Sequence, residues 1–230
     1  MATLKVISTG SAGNAYVLTA GGETLLLELG VPFSDILKAL DFDISGVVGC
    51  LCSHIHADHY QSAQTAKRYQ MWVYLPHNLK AKQKYRLGGF TFMPLQVPHG
   101  ECKCYAYVIE HEDMGKLLFA TDMSRFPYKV NGLDHIMIEC NYSSDILIEN
   151  ATENGGGFGY SRYEDHMELG ECVTTLDRLN HGYLKNVVLI HASHTNGDPA
   201  MFEKTIFEET GIRAVTAVNG MEFEFEKEEF

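Results

Sequence analysis

The sequence predicts an α/β (α+β) fold in which two β-sheets pack face to face with helices outside. Three observations carry this. Short apolar runs of strand length, divided by turn residues, fill the first part of the chain. Two longer helical patterns alternate with strands in the later part, and such layers need a shared core. The chain has 230 residues, 45% of them hydrophobic, with neither an internal repeat nor a low-complexity linker, so one domain over residues 1–230 is expected.

Leu4 to Ser8 reads as the first strand, and Thr9-Gly10-Ser11-Ala12-Gly13-Asn14 as a small-residue loop, either a plain turn or an anion cradle. Ala15 to Thr19 and Thr24 to Leu29 flank Ala20-Gly21-Gly22-Glu23, a hairpin signal. Glu28 is the one acid in that second apolar strand, so it needs a buried partner. Ser34 is placed to cap a short helix over Asp35 to Leu40. The run Val47-Val48-Gly49-Cys50-Leu51-Cys52 is the next strand, Ser62 to Gln70 a helix, and Met71 to Leu75 a strand. Phe90 to Val97 reads as a broken strand ending at Pro98-His99-Gly100. Cys104 to Glu110 and Lys116 to Thr121 form a second hairpin, and Asp134 to Cys140 a further strand. Asn150 to Gly159 is glycine-rich and reads as a mobile loop. Leu169, Val173, Leu176 and Leu179 recur at helical spacing, which puts His166 in the first turn of that helix. Asn186 to Ile190 is a strand ending at His191. Asp198, Pro199 and Gly211 bracket the last helix. Arg213 to Val218 and Met221 to Phe225 are expected to close the chain as a strand pair.

Composition narrows the function. Charges interrupt every apolar segment, so no transmembrane helix fits, and Met1 to Ile7 runs straight into a strand pattern without a signal-peptide core. The six cysteines contain no C-x-x-C pair and read as reduced, mostly buried thiols. A cytoplasmic protein without membrane partners is expected. The formal net charge is −12, which argues against sequence-independent nucleic-acid binding by the surface as a whole. Lys67, Arg68, Lys80, Lys82, Lys84 and Arg86 form the one basic concentration, read as a solvated face or as a phosphate-backbone contact.

The chemistry gathers at Ser53-His54-Ile55-His56-Ala57-Asp58-His59, the pattern His-x-His-x-Asp-His. At strand period His54 and His56 project to one side and can reach one ion. Asp58 and His59 are adjacent and diverge, which suits a second ion. His99, Asp122 and His191 each stand at or just past the end of an apolar strand, and strand ends gather on one rim. His54, His56 and His99 would then form one site, and Asp58, His59 and His191 its neighbour, with Asp122 between them. His194 is an alternative to His191 as the last ligand.

These residues together resemble the metallo-β-lactamase fold superfamily, the four-layer αββα binuclear metallohydrolases. The resemblance implies metal ligation by His54, His56, Asp58, His59, His99, Asp122 and His191. It places Glu28 where the family carries a supporting acid, usually Asp. Within the superfamily the chain is most similar to the YycJ/WalJ-type branch, which is associated with DNA exonuclease activity. The features are Ser8 to Asn14, Glu139-Cys140-Asn141, His166, and Leu189-Ile190-His191-Ala192-Ser193 followed by Asn196. Nothing resembles a β-CASP insertion. The implied protein is a binuclear phosphodiester hydrolase acting as an exonuclease-like DNA nuclease, with two divalent ions, Zn²⁺ or Mn²⁺, holding a hydroxide for attack on phosphorus. Its partner would be nucleic acid, DNA ahead of RNA, or a small phosphodiester. Asp58 would orient or deprotonate the water, and His166 or His194 would protonate the leaving oxygen. The alternatives are a small-molecule metallohydrolase acting on a cyclic nucleotide, lactone or thioester, and a metal-binding protein without turnover.

Overall fold

A computed structural model describes residues 1–153 and 163–227. Two sheets form. The first contains β1 (Thr3–Ser8), β2 (Ala15–Ala20), β3 (Glu23–Leu27), β4 (Val47–Leu51) and β5 (Val73–Tyr74), with the late strand β13 (Glu222–Glu224) on its far edge in the order β13-β1-β2-β3-β4-β5. The second contains β6 (Tyr85–Leu87), β7 (Phe90–Val97), β8 (Cys104–His111), β9 (Gly115–Ala120), β10 (His135–Glu139), β11 (Asn186–Ile190) and β12 (Ala214–Thr216), in the order β12-β11-β10-β9-β8-β7-β6. The expected final strand pair therefore separates, because β12 lies parallel to β11 while β13 returns antiparallel to β1.

The layering follows from strand period. Along β8, Tyr105, Tyr107 and Ile109 join Leu25, Leu27 and Leu51 of the first sheet in a core between the sheets. The alternate residues Cys104, Ala106 and Val108 turn the other way, onto α5 (Leu169–Leu179) and α6 (Pro199–Thr210). On the opposite side, Leu26 and Cys50 face α1 (Phe33–Ala39) and α3 (Ala63–Arg68). Each sheet is thus buried on both faces, and the order is helix, sheet, sheet, helix.

Several local expectations change. α1 begins after Pro32 and Ser34 makes no cap bond, since proline pre-sets the backbone for helix entry. β7 is continuous, with Pro94 accommodated opposite Tyr107. Glu168 caps α5 by accepting from the Gly170 amide, so His166 lies in the turn before the helix and not in its first turn. A helix that periodicity did not reveal, α4 (Ser144–Glu153), absorbs the first part of the expected loop, Asn150 to Glu153. The remainder of the proposed glycine loop, including Gly155-Gly156-Gly157, lies outside the described residues. Among the described residues no helix is long and apolar enough to cross a membrane.

Candidate metal centre

β3, β4, β7, β9, β10 and β11 all end at one rim, and the loops that follow them carry the polar side chains. β4 itself stops at Leu51, so His54 and His56 converge by loop geometry and not by strand alternation. A one-turn helix, α2 (Ala57–Tyr60), then presents Asp58 and His59. Its fit against the neighbouring loop needs Gly30, where a Cβ would stand 1.6 Å from the Asp58 carbonyl oxygen. Three strand-end residues hold left-handed backbone: Glu28 (φ 61°), Asp122 (φ 48°) and His191 (φ 57°). Each non-glycine residue in that region costs roughly 1–2 kcal/mol, and the strain turns these side chains inward over the rim.

Two groups of side chains face one another. In the first, His54 Nε2 lies 2.9 Å and His99 Nε2 3.2 Å from His56 Nδ1. His99 Nδ1 donates to the Asp165 carbonyl (3.3 Å), so its Nε2 carries a lone pair aimed at the other rings. In the second, Asp58, His59, Asp122 and His191 offer ligand atoms all within 4.8 Å of one another. Asp122 spans both groups, its Oδ2 standing 2.8 Å from His59 Nε2 and 3.4 Å from His54 Nε2. His56 is exposed and leaves the first group open toward solvent.

Protonation in this cluster shows the demand for a cation. Burial, then the neighbouring histidines, push His54 down to about 2, which keeps its ring neutral. Burial would lower His59 and His191 too, but carboxylates outweigh it. Asp122 and Glu28 hold His59 well above the ordinary histidine range, and Asp122, Asp58 and Glu139 bring His191 up to about 10. Burial would raise Asp58, yet hydrogen bonds from His191 and His59 hold it far below the carboxylate range. Asp122 is depressed likewise, with His59 and His191 overcoming its burial. Among the described residues, four buried side-chain polar atoms lack a hydrogen-bond partner, and three of them, Glu28 Oε2, His59 Nδ1 and His191 Nε2, belong to this rim. Clustered lone pairs, surplus carboxylates and an orphaned His191 Nε2 all fit divalent cations bound by nitrogen and oxygen.

Further residues hold these in place. Glu28 Oε1 accepts from the Ser53 amide (3.0 Å), and its Oε2 stands 3.5 Å from His59 Nδ1. Glutamate therefore fills the position with its extra methylene. Asn14, from the small-residue loop, stands with Nδ2 3.0 Å from His59 Nε2 and donates to the Asp58 carbonyl (3.3 Å), so that loop braces the centre. Glu139 links three segments. Its Oε1 accepts from His166 Nδ1 (2.7 Å) and His191 Nδ1 (3.1 Å), and its Oε2 from the amides of Met123 (2.9 Å) and Met167 (3.3 Å). The strand-end rule that selects Asp122 and His191 also covers Glu139, which follows the same logic at the end of β10. His166 is brought to the rim, 3.9 Å from Asp122 Oδ1, although it precedes α5. Burial would lower its pKa, but Glu139 and Asp122 raise it, the reverse of what a helix N-terminus would do. His194 is exposed and belongs to none of the ligand groups. Cys104 donates to the carbonyls of Thr121 and Asp122, and burial keeps it a thiol.

Two sheets face to face, with histidines and carboxylates grouped at the strand ends, define a metallohydrolase architecture. The chain belongs to the metallo-beta-lactamase superfamily, whose sequence profile matches residues 8–134. Among solved structures it is similar to the metallo-beta-lactamase fold protein YhfI from Bacillus subtilis, with TM-score 0.73, 18% identity, and 96% of this chain and 98% of that one covered. It is similar also to a diphosphatase of the PhnP family, with TM-score 0.65, 16% identity, and 98% of each chain covered. Human tRNase Z, short form, matches with TM-score 0.60 and 13% identity over 97% of this chain and 99% of that one. At these identities the likeness is one of fold. No curated protein matches the chain by sequence.

Proposed function

We propose that the protein is a binuclear metal-dependent phosphodiester hydrolase that acts as a DNA nuclease of the exonuclease-like kind. The observation that carries this is a complete nitrogen and carboxylate ligand set beside a proton-bearing imidazole on one rim. His54, His56 and His99 would hold one ion and Asp58, His59 and His191 the other, with Asp122 between the two groups; Zn²⁺ and Mn²⁺ both suit these donors. When bound, the ions acidify a water and neutralise phosphoryl oxygens. Asp58 is ionised at any working pH and accepts the proton of the attacking water. His166 is anchored through Nδ1 on Glu139, which leaves Nε2 to protonate the leaving oxygen, and Glu139 and Asp122 raise its pKa against the effect of burial, favouring the proton-bearing form. His194, the other candidate acid, is exposed.

Two of the similar structures, a diphosphatase and a tRNase, support phosphate chemistry. The motif-level resemblance to the YycJ/WalJ-type branch supports DNA as the polymer. Six free cysteines support a reducing, cytoplasmic location. The second reading, a hydrolase of a small phosphodiester, lactone or thioester, draws on the net charge of −12, which repels polyanions at long range.

The test is cleavage of single- and double-stranded DNA, RNA, a cyclic nucleotide and bis(p-nitrophenyl) phosphate with Zn²⁺ or Mn²⁺. Cleavage of DNA that disappears in Asp58→Ala is expected. Turnover of the small diesters with every nucleic acid left intact would transfer the assignment to the second reading.

A further inference from the structure

The 42 residues from His59 to Gly100 contain no aspartate or glutamate, although the chain has 30, and they contain six of its 18 lysines and arginines. This segment leaves the metal rim at His59 and returns to it at His99. Between those points it builds α3, β5, β6 and β7, and β5 and β6 are the edge strands of the two sheets on the same side of the sandwich. A strongly acidic protein thus has one edge whose own segment carries no carboxylate; the acids that reach it come from elsewhere, Glu23 accepting from the Gly89 amide beside the groove and Glu110 near Lys84.

The edge has a definite shape. A groove of about 450 Å³ opens where β5 and β6 meet, lined by Val47, Val48, Trp72, Tyr74, Arg86 and Leu87 with Gly88. Trp72 is 71% exposed, an unusual state for the chain's single tryptophan. Its carbonyl accepts from the Cys50 amide, four residues before His54, so the indole lies roughly 13 Å from the rim at ~3.3 Å per residue. Lys82 holds its Nζ 5.5 Å above the Tyr128 ring, and Tyr128 OH donates to the Gln96 carbonyl, three residues before His99. Lys84 approaches Glu110 (4.0 Å), but Lys80, Lys82 and Arg86 form no ion pair with any described residue.

We propose that this edge is a track for single-stranded nucleic acid, with phosphates along Lys80, Lys82 and Arg86 and a base stacked on Trp72. The inference deepens the nuclease reading and rests on it. Cations that no carboxylate pairs attract a polyanion despite the overall charge, because screening confines the remote acids to about a Debye length of ~8–10 Å. An exposed indole beside a guanidinium suits an unpaired base of any identity, whereas a duplex keeps its base faces stacked away. The charge pattern also turns the strand away from the remaining, acidic surface and toward the ions.

The test uses metal-loaded protein and a fluorescently labelled, single-stranded phosphorothioate oligonucleotide, with binding read by anisotropy across salt concentrations. Trp72→Ala is expected to weaken binding roughly 5- to 150-fold, the range of one base–aromatic stack. The combined variant Lys80→Gln, Lys82→Gln, Arg86→Gln is expected to reduce the log–log salt slope by about 2, for three lost phosphate contacts. Turnover of bis(p-nitrophenyl) phosphate should stay unchanged in both, which shows an intact fold and centre. Variants that bind with wild-type affinity and slope overturn the track, as does equal affinity for duplex. If wild-type protein binds the strand in this way yet cuts no nucleic acid with any metal, the track stands and the nuclease reading fails. If wild-type protein binds no oligonucleotide, both fail and an acidic peptide becomes the fitting occupant.

Discussion

Loading metal onto the chelated protein should release protons, and the structure sets how many. Without metal, His54 is pushed down to about 2 and is neutral at pH 7. His59 and His191 are protonated there, held so by Asp122, Glu28, Asp58 and Glu139 against the cost of burial. An ion bound at Nε2 of each ring must displace that proton, while Nδ1–H stays directed at Glu28 or Glu139. About two protons should therefore leave per protein near neutrality, against well under one for two histidines of ordinary pKa ~6.5. The stability of the metal-free protein follows with the same sign. A raised histidine pKa contributes stability that is fully present below ~6.5 and is lost as pH rises through the folded value, about 10 for His191. Metal-free protein should therefore weaken across that alkaline window by the order of a few kcal/mol, and metal-loaded protein should not. Calorimetric titration of Zn²⁺ in buffers of different ionisation enthalpy counts the protons, and chemical denaturation across pH reads the stability. A release close to zero at neutral pH, or a count that does not fall above the His191 value, would refute the protonation scheme.

Four further outcomes are expected. His166→Ala should lower kcat roughly 10²–10⁴-fold on an oligonucleotide, the usual worth of a general acid, while His194→Ala leaves kcat unchanged; the opposite pattern would exchange their roles. Glu139→Gln should cost about 10- to 100-fold in metal affinity or activity, because its carboxylate orients both His166 and His191. Metal content measured beside kcat decides that case, and wild-type values of both would contradict it. Gly30→Ala should destabilise by about 1–3 kcal/mol and reduce metal occupancy, since its Cβ meets the Asp58 carbonyl at 1.6 Å. An unshifted urea midpoint would show that the loop yields without cost.

Much of the candidate centre is legible in the sequence because a strand that ends in a polar residue delivers that residue to a rim. His99, Asp122 and His191 were found by that rule. Glu139 stands out in the sequence only as part of a motif, since an acid at a strand end has no visible partner until the fold supplies His166 and His191. Asn14 was equally silent inside its loop. α4 is not legible in the sequence because Ser144–Glu153 buries little apolar surface, so its period is faint. β12 and β13 were each recognisable as strands, yet a strand's partner is a long-range choice, and these two join opposite sheets.

By itself the sequence determined the alternation of strands and helices, the one cluster of metal-binding side chains at His54 to His59, and the strand-end positions of its partners. These depend on local period and on residue chemistry, which the chain carries everywhere along its length. Only the tertiary structure decided that Glu139 joins His166 to His191, and that Glu28, Asp122 and His191 turn inward on left-handed backbone. Those facts depend on which strand ends become neighbours. Packing the two sheets against each other sets that, and it holds the strained residues where local preference alone would release them.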